Sequence, residues 1–413
     1  MTCHVLDRAF LDRVLAEPRL AGVLNLLNQN GEEARVVGGA VRNALLGHKV
    51  RDIDIATTAL PDETMRRARA AGLKVVPTGI EHGTVTVIAG GEAFEVTTLR
   101  EDVETNGRHA VVRFGRDFAA DALRRDFTIN ALSVRPDREI CDYAHGLADL
   151  SARRVRFIGE ARQRIREDYL RILRFFRFSA EYASGPLDPE GFSAAIRERA
   201  GLPLLSRERV RAEFLKLLAA PRALDVVETA AQAGFLGWIT GGVGELGRLA
   251  RAGDDPLRRL AASSLFSRHD VPRLRERLRL SNAEDARLHA YAALLERLKA
   301  RAAPLTRADL RPLLAEHGVE AVMDVLTVTA GEPRPVVEPG FRDDLRLFAE
   351  GVLTAPVLPV RGADFLALGV PKGPVIGRAV EAARREWLAA GCPEGDMERH
   401  RLIAAGLAAI ETV

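Results

Sequence analysis

Two aspartates separated by a single residue are the clearest candidates for chemistry in this chain of 413 residues. The run Asp52-Ile53-Asp54-Ile55 alternates acidic and apolar side chains. Successive side chains of a β-strand point to opposite faces, so both carboxylates would share one face while the isoleucines enter the core. Carboxylate oxygens suit Mg²⁺, and two such ions can activate a hydroxyl and steady a phosphate leaving group. The spacing predicts that Asp52 and Asp54 hold two Mg²⁺ ions; the alternative is an edge strand with two solvated aspartates.

A third acidic side chain is expected close to this pair. Glu95 alternates with the apolar Phe94 and Val96 on a predicted strand, Phe94 to Leu99. A further carboxylate beside two metal ligands is chemically useful. We therefore predict Glu95 as a third catalytic acid.

A glycine pair stands ahead of the acidic strand, in the run Gly38-Gly39-Ala40-Val41-Arg42. Glycine lets the backbone approach a phosphate closely, and the first N–H groups of a following helix attract anions. This pattern predicts a triphosphate cradle that includes Gly39 and Arg42. Taken alone, a glycine pair before a helix is also compatible with a simple tight turn.

Together these features resemble the polymerase-β-like nucleotidyltransferases. The run Arg124-Arg125-Asp126-Phe127-Thr128-Ile129-Asn130-Ala131-Leu132 is similar to the RRDFTINAL signature of their class II branch, which holds bacterial CCA-adding enzymes and poly(A) polymerases. The resemblance implies that Arg125 contacts the nucleotide and that Asp126 takes part in ribose recognition. The residues alone indicate only a basic helix end that enters a strand.

The stretch from Glu167 to Arg177 resembles the EDxxR motif of the same family. Residues three apart on a helix share a face, so Asp168 and Arg171 could present an acceptor beside a donor. Cytosine and adenine each offer a complementary donor and acceptor, and uracil and guanine offer the reverse order. We predict that this pair selects CTP and ATP, while Arg174 and Arg177 hold phosphates or stack on the base. The alternative is an ordinary surface salt bridge between Asp168 and Arg171.

One family position differs in this chain. Asn43 follows Arg42 where the family usually has aspartate. A carboxylate there would orient Arg42, so the detail of that pairing differs here, whereas the predicted metal site is unaffected.

The elements that must position these residues indicate an α+β head followed by helices. A first amphipathic helix fills the opening 34 residues, and predicted strands then alternate with predicted helices Pro61 to Ala71 and Ala119 to Arg125. The strands are expected at Arg35 to Val37, Asp52 to Thr57, Lys74 to Val76, Thr84 to Ala89, Phe94 to Leu99, Asn130 to Val134 and Glu139 to Cys141. The polar segment Arg100 to Arg116 is predicted to be a flexible loop, which by resemblance helps to switch addition from C to A.

After about Asp149 the strand patterns end and long amphipathic runs follow. We expect a small N-terminal polymerase-β-like head with a mixed sheet over 1–150, a base-recognising helical neck over 151–220, a helical body over 221–330 and an RNA-binding helical tail over 331–413. From Ser151 to Ala180 the chain carries nine arginines against three acidic residues. This density fits a nucleic-acid partner or an ordinary solvated helix face.

Bulk properties exclude several classes of protein. No run approaches the roughly 18 apolar residues of a membrane-spanning helix, and acidic residues interrupt the N-terminal apolar stretch, so we expect a cytoplasmic protein without a signal peptide. The three cysteines lie far apart and show no metal-binding spacing. A net charge of +3 argues only weakly for nucleic acid.

The resemblance implies a tRNA nucleotidyltransferase that adds C, C and A from CTP and ATP to the tRNA 3′ end, without a nucleic-acid template and without binding DNA. Its partners would be the tRNA acceptor arm and nucleoside triphosphates. Alternatives are a poly(A) polymerase and a partial enzyme that adds only CC or only A. From other classes of protein, a catalytically inactive RNA-binding protein and a nucleotide-binding regulator remain open. Retention of both Asp52 and Asp54 argues against an inactive domain.

Overall fold

The computed structural model describes residues 5–106 and 109–411, and for 101–106, 109–113 and 411 it describes the backbone alone. The chain divides into two compact units, one ending at Phe235 and one beginning at Leu236. The finer division into head, neck, body and tail stays a prediction.

A mixed sheet forms the centre of the first unit. Its seven strands lie in the order β3-β4-β5-β2-β1-β8-β9, and β2 and β5 run parallel while the other neighbours are antiparallel. The strands of the described residues are β1 (Ala34–Val37), β2 (Ile53–Thr57), β3 (Lys74–Gly79), β4 (Thr84–Ala89), β5 (Glu92–Thr98), β6 (Arg100–Asn106), β7 (His109–Phe114), β8 (Leu132–Val134) and β9 (Ile140–Asp142). The predicted mixed-sheet head followed by helices is confirmed.

Helices make up the rest of the first unit. They are α1 (Arg8–Leu15), α2 (Pro18–Leu27), α3 (Gly39–Leu45), α4 (Pro61–Ala70), α5 (Phe118–Leu123), α6 (Gly146–Ser151), α7 (Ala161–Glu167), α8 (Leu170–Tyr182), α9 (Pro189–Glu198), α10 (Arg207–Ala219) and α11 (Ala223–Gln232). The amphipathic helix predicted for the first 34 residues is divided into two helices, α1 and α2. The Glu17 side chain accepts from the N–H groups of Arg19 and Leu20 and Pro18 occupies the first turn, so a second helix starts there.

The segment predicted as a flexible loop contains two strands. β6 and β7 pair as an antiparallel ribbon, while Gly107 and Arg108 at its tip lie outside the described residues. The Gly115 N–H donates to the Leu99 carbonyl at 2.8 Å, which holds the base of the ribbon to the end of β5. A role of this segment in switching from C to A stays a prediction.

Several strand boundaries differ from the sequence-based prediction, and two of the differences concern residues of the site. Asp52 lies one residue before β2, and Asn130 belongs to a short 3₁₀ turn, Thr128–Asn130, that precedes β8. The turn directs the Asn130 side chain to Asp126, whose Oδ1 accepts from Nδ2 at 2.9 Å.

Aromatic side chains join the sheet to the helix that follows it. Phe127 is fully buried, and its ring centroid lies 4.9 Å from that of Phe157 and 5.2 Å from that of Phe178 in α8. Such tilted aromatic pairs bury large apolar areas and add directional contacts. The RRDFTINAL run is therefore tied to α8 by packing as well as by charge.

The secondary-structure elements in the described residues of the second unit are all helices. After α12 (Phe235–Ile239), which crosses the boundary, it contains α13 (Pro256–Ser264), α14 (Asp270–Leu278), α15 (Asn282–Ala300), α16 (Arg307–Val328), α17 (Pro339–Ala349), α18 (Gly362–Ala367), α19 (Pro374–Ala389) and α20 (Asp396–Glu411). Trp387 and Phe365 centre one of its cores. Among the described residues, no helix has the length and apolar character to cross a membrane.

We predict that Phe127→Ala lowers the free energy of unfolding of the first unit by about 3–5 kcal/mol, because it empties the centre of the aromatic cluster. Urea unfolding followed by circular dichroism measures the loss. Both tryptophans, Trp238 and Trp387, belong to the second unit, so tryptophan fluorescence follows that unit separately. Leu204→Ala, at a side chain that is 74% exposed, is the control. A loss as small as that of the control would contradict the prediction.

Candidate active site

A cavity of about 810 Å³ opens in the first unit between the sheet and α8. Carboxylates from the strand side and guanidinium groups from the helix side both line it. The structure brings together in this cavity every residue predicted for the site: Asp52, Asp54, Glu95, Gly39, Arg42, Arg125, Asp126, Asp168, Arg171, Arg174 and Arg177.

The acidic side of the cavity is built by two parallel strands. Asp54 of β2 lies in register with Glu95 of β5, and Asp52 precedes the same strand. Burial raises the pKa of Asp54, and the neighbouring carboxylates of Glu95 and Asp52 raise it further against the opposing charge of Arg125. Clustered carboxylates whose ionised forms repel one another are the donor set that a divalent cation would stabilise.

The acidic residues suit a cation that also binds other oxygen ligands. Among the described residues, no three Asp, Glu, His or Cys side chains converge closely enough to hold a metal ion by themselves. Mg²⁺ characteristically binds one or two carboxylates together with water and substrate phosphates. Asp52 and Asp54 fit that mode of binding.

Gly38 is required by the close approach of Arg125. Its φ of +67° and ψ of −122° precede α3, and a Cβ atom there would lie 2.6 Å from Arg125 Nη1. Arg125 Nη1 also donates to the Asn130 carbonyl at 3.3 Å, and Nη2 lies 3.3 Å from the buried Asp121 carboxylate. The glycine turn thus seats Arg125 beside the cavity in addition to starting α3.

Asp126 connects the head to α8. Its Oδ1 accepts from the N–H of Phe127 and from Asn130, both at 2.9 Å, and its Oδ2 accepts from Arg174 Nε at 2.7 Å. Burial opposes ionisation, yet Arg174 and these donors hold the pKa of Asp126 below its usual range. Its predicted part in ribose recognition stays a prediction, and the structure shows that it positions Arg174.

The predicted pairing of Asp168 with Arg171 on one helix is not what the structure contains. Asp168 has extended backbone angles, φ −155° and ψ 108°, at the break between α7 and α8. Its Oδ2 accepts from Arg209 Nη2 at 2.6 Å, and Arg171 Nη1 instead donates to Glu167 Oε2 at 2.5 Å. The alternative, a salt bridge between Asp168 and Arg171, is also not formed: among the described residues Asp168 pairs with Arg209 and Arg171 pairs with Glu167. Both side chains nevertheless line the same cavity.

Three guanidinium groups surround one phenyl ring at the back of the cavity. The central carbons of Arg42, Arg174 and Arg177 lie 5.2, 5.1 and 4.2 Å from the centroid of Phe178. Cations are attracted to the face of an aromatic ring. The three guanidinium groups around the Phe178 ring therefore concentrate positive charge at a position where a polyphosphate could bind.

Several residues of the site were missed from the sequence. Arg209 and Glu213 come from α10, and Asn130 and Tyr182 contact Arg42. Asn130 lies inside the RRDFTINAL run and could have been proposed from it. The α10 residues carried no such pattern, because their place beside α8 depends on tertiary packing.

Comparison with known proteins agrees with this geometry. The family described as "Poly A polymerase head domain" matches residues 34–156. The chain is 36% identical over 389 residues to a protein of Danio rerio named "CCA tRNA nucleotidyltransferase 1, mitochondrial", covering 89% of this chain and 86% of that protein. The chain belongs to the CCA-adding tRNA nucleotidyltransferase family.

Two bacterial members of the family are similar over nearly the whole chain. A "CCA-adding enzyme" of Geobacillus thermodenitrificans is 34% identical over 407 residues, covering 93% of this chain and 95% of the relative. The solved structure of the Bacillus stearothermophilus CCA-adding enzyme in complex with CTP has 30% identity and a TM-score of 0.74, over 96% of this chain and 98% of the other. The predictions of family, fold class and nucleotidyltransferase class are confirmed.

For this CCA-adding family member, we predict that Gly38→Ala reduces the affinity for CTP at least about tenfold, because the new methyl group displaces the Arg125 guanidinium and charge-assisted contacts are strong. Calorimetric titration with CTP measures the change. Gly72→Ala is the matched control, because Gly72 also has a positive φ but open space around its Cβ position. Both variants lose stability from backbone strain. Equal CTP affinities in the two variants would show that Arg125 is not displaced from the site.

Proposed function

We propose that this chain adds C, C and A, taken from CTP and ATP, to the 3′ end of tRNA. The cavity that gathers the Asp52 and Asp54 carboxylates opposite a cluster of arginines supports this proposal most directly. A reaction that transfers a nucleotidyl group to a hydroxyl needs carboxylates for cations and guanidinium groups for phosphates. Both sets are present in one place.

In this proposal Asp52 and Asp54 hold two Mg²⁺ ions, and Glu95 adds negative charge beside them. When bound, the ions supply activation of the 3′-hydroxyl and stabilisation of the leaving pyrophosphate. Gly39 lets the nucleotide approach the backbone at the start of α3. Arg42 and Arg125 bind the triphosphate, and their fixed positions reduce the loss of side-chain entropy on binding.

Asp168 and Arg171 read the base. Arg209 donates to Oδ2 of Asp168 and the Leu170 N–H donates to Oδ1, while the described hydrogen bonds of Arg171 both use Nη1. A carboxylate oxygen accepts more than one hydrogen bond and a guanidinium has five N–H donors, so each side chain keeps further hydrogen-bonding capacity for a base edge. Arg174 and Arg177 lie beyond them and contact phosphate or stack on the base. Because side chains take the place of a pairing base, no nucleic-acid template is required.

The cellular location is a separate proposal. Three of the similar proteins carry names that place them in mitochondria, and others are bacterial CCA-adding enzymes. A cytoplasmic location for this chain stays a prediction.

The first experiment offers the purified protein and Mg²⁺ a tRNA that ends before CCA, beside an unstructured RNA, with each nucleotide alone and in combination. We predict addition of C, C and A to the tRNA followed by a stop. Long A tails on the unstructured RNA would replace this function with poly(A) polymerase. Addition of only CC or only A would indicate a partial enzyme.

Loss of either aspartate is predicted to lower nucleotide addition at least about 1,000-fold, because it removes a ligand for the cations that stabilise the transferring phosphate. Asp52→Ala and Asp54→Ala are compared with Asp62→Ala, whose exposed side chain lies in the first turn of α4. Single-turnover addition of one CMP is measured for each variant. Parent-like rates in both test variants of an active parent would remove Asp52 and Asp54 from catalysis. Absence of addition by the parent, with the variants indistinguishable from it, would favour a non-catalytic RNA-binding protein.

Removal of the Asp168 carboxylate is predicted to lower the preference for CTP over UTP by about 10-fold to 100-fold, the effect of losing one discriminating hydrogen bond to a buried base edge. The ratio of kcat/KM for the two nucleotides is measured for Asp168→Ala. Asp225→Ala removes an aspartate that pairs with Arg222 outside the cavity and serves as the control. An unchanged ratio would remove Asp168 from base selection.

A further inference from the structure

Arg42 is a buried guanidinium whose hydrogen-bond acceptors among the described residues are neutral. Its side chain is 6% exposed. Nε and Nη2 donate to Asn43 Oδ1 at 3.1 and 2.9 Å, and Nη1 donates to Asn130 Oδ1. Amide oxygens orient a guanidinium without neutralising it. Burial lowers the pKa of Arg42, as expected for a cation removed from water, although Tyr182 and Glu181 oppose that shift.

The remaining hydrogen bond of Arg42 connects it through Tyr182 to a charged group, the Glu181 carboxylate. Arg42 Nη2 donates to Tyr182 Oη at 2.8 Å, and Tyr182 Oη in turn donates to Glu181 Oε1 at 2.8 Å. The guanidinium carbon also lies 4.0 Å from the centroid of the Tyr182 ring. Tyr182 therefore holds Arg42 both through its hydroxyl and across its ring.

Tyr182 is itself held firmly. It is a buried residue at the end of α8, and burial together with Glu181 raises its pKa to about 12 despite the nearby Arg42, so the phenol keeps the proton that it donates. Glu181 Oε2 accepts from Arg177 Nη1 at 3.2 Å, and Arg177 Nε donates to Glu213 Oε2 at 2.7 Å. The hydroxyl that meets Arg42 is thus fixed by two helices, α8 and α10.

We propose that Tyr182 is the positioning residue for Arg42, which holds the buried guanidinium in the cavity while leaving its positive charge available to the triphosphate. This inference rests on the proposed function, in which Arg42 binds that triphosphate. A carboxylate at position 43 would anchor Arg42 by an ion pair. The neutral amide of Asn43 orients Arg42 without an ion pair, and Tyr182 adds a hydrogen bond and a ring contact that link Arg42 to the Glu181 carboxylate.

The test removes only the hydroxyl. Tyr182→Phe keeps the ring beneath Arg42 and is expected to weaken binding of CTP and of ATP by roughly 5-fold to 20-fold, because one hydrogen bond to a charged group is lost. Binding to the full chain is measured by isothermal titration calorimetry with Mg²⁺ and without RNA. In turnover, KM for the nucleotide is expected to rise by the same factor, with kcat within about twofold of the parent.

Tyr143→Phe is the matched control. The Tyr143 hydroxyl accepts from Arg35 Nη1 at 3.0 Å, so this variant also removes a tyrosine–arginine hydrogen bond, but one that does not line the nucleotide cavity. CTP binding by this variant is expected to equal that of the parent.

A second substitution separates positioning from general support of the fold. Adding Asn43→Asp to Tyr182→Phe gives Arg42 a charged anchor and is expected to restore CTP affinity to within about threefold of the parent, as a charge-assisted pair replaces the lost bond. Parent-like binding by Tyr182→Phe overturns the inference. So does a loss of binding that Asn43→Asp leaves unrestored and that comes with a fall in kcat and in thermal stability.

The outcomes also separate this inference from the proposed function. A parent protein that binds CTP but adds nothing to tRNA would overturn the proposed function, and the effect of Tyr182→Phe on CTP affinity would still support the positioning role. Correct addition of C, C and A by the parent, with Tyr182→Phe unchanged in affinity and KM, would overturn only the inference.

Discussion

Asp126 carries a buried negative charge that is shared by partners from two parts of the chain. The N–H of Phe127 and the side chain of Asn130 bind it within the head, and Arg174 binds it from α8 at 2.7 Å. An uncompensated buried charge costs about 3–5 kcal/mol when one partner of such a pair is removed. The position of α8 against the sheet, and with it the shape of the cavity, depends on this charge remaining satisfied.

From Asp126 a closed series of contacts surrounds the back of the cavity. Asn130 leads to Arg42, and Arg42 leads through Tyr182 to Glu181. The series then passes through Arg177 to Glu213, which lies 3.9 Å from Arg174 and completes the circuit. Each arginine of the circuit therefore has a fixed partner within it, while the Asp52 and Asp54 carboxylates line the opposite wall. The separation of the two charge types is a property of the fold itself.

Much of the acidic wall could be predicted from sequence, because a strand imposes a period of two on its side chains. The alternation of Asp52, Asp54 and Glu95 with apolar neighbours placed all three on the cavity side, and the RRDFTINAL run placed Arg125 and Asp126. The helical wall was harder to predict. The sequence pattern predicts Asp168 and Arg171 on one helix, but the helical backbone is interrupted at Asp168. The Asp168 side chain pairs with Arg209, which lies 41 positions further along the chain. Periodicity describes a single element, whereas such a partner is set by how two helices pack.

The circuit has a consequence for how the protein could recombine with its relatives. Residue 150 resembles a domain boundary, since strands end before it and helices follow, and it would be a natural crossover point for exchanging a catalytic head. Yet Arg42 and Asp126 lie on one side of that point and Tyr182 and Arg174 on the other, joined by buried polar contacts. A head exchanged at residue 150 would place Arg42 and Asp126 against the helices of a different protein. Inheritance of the two segments is therefore coupled, and the smallest portable catalytic unit extends through α10.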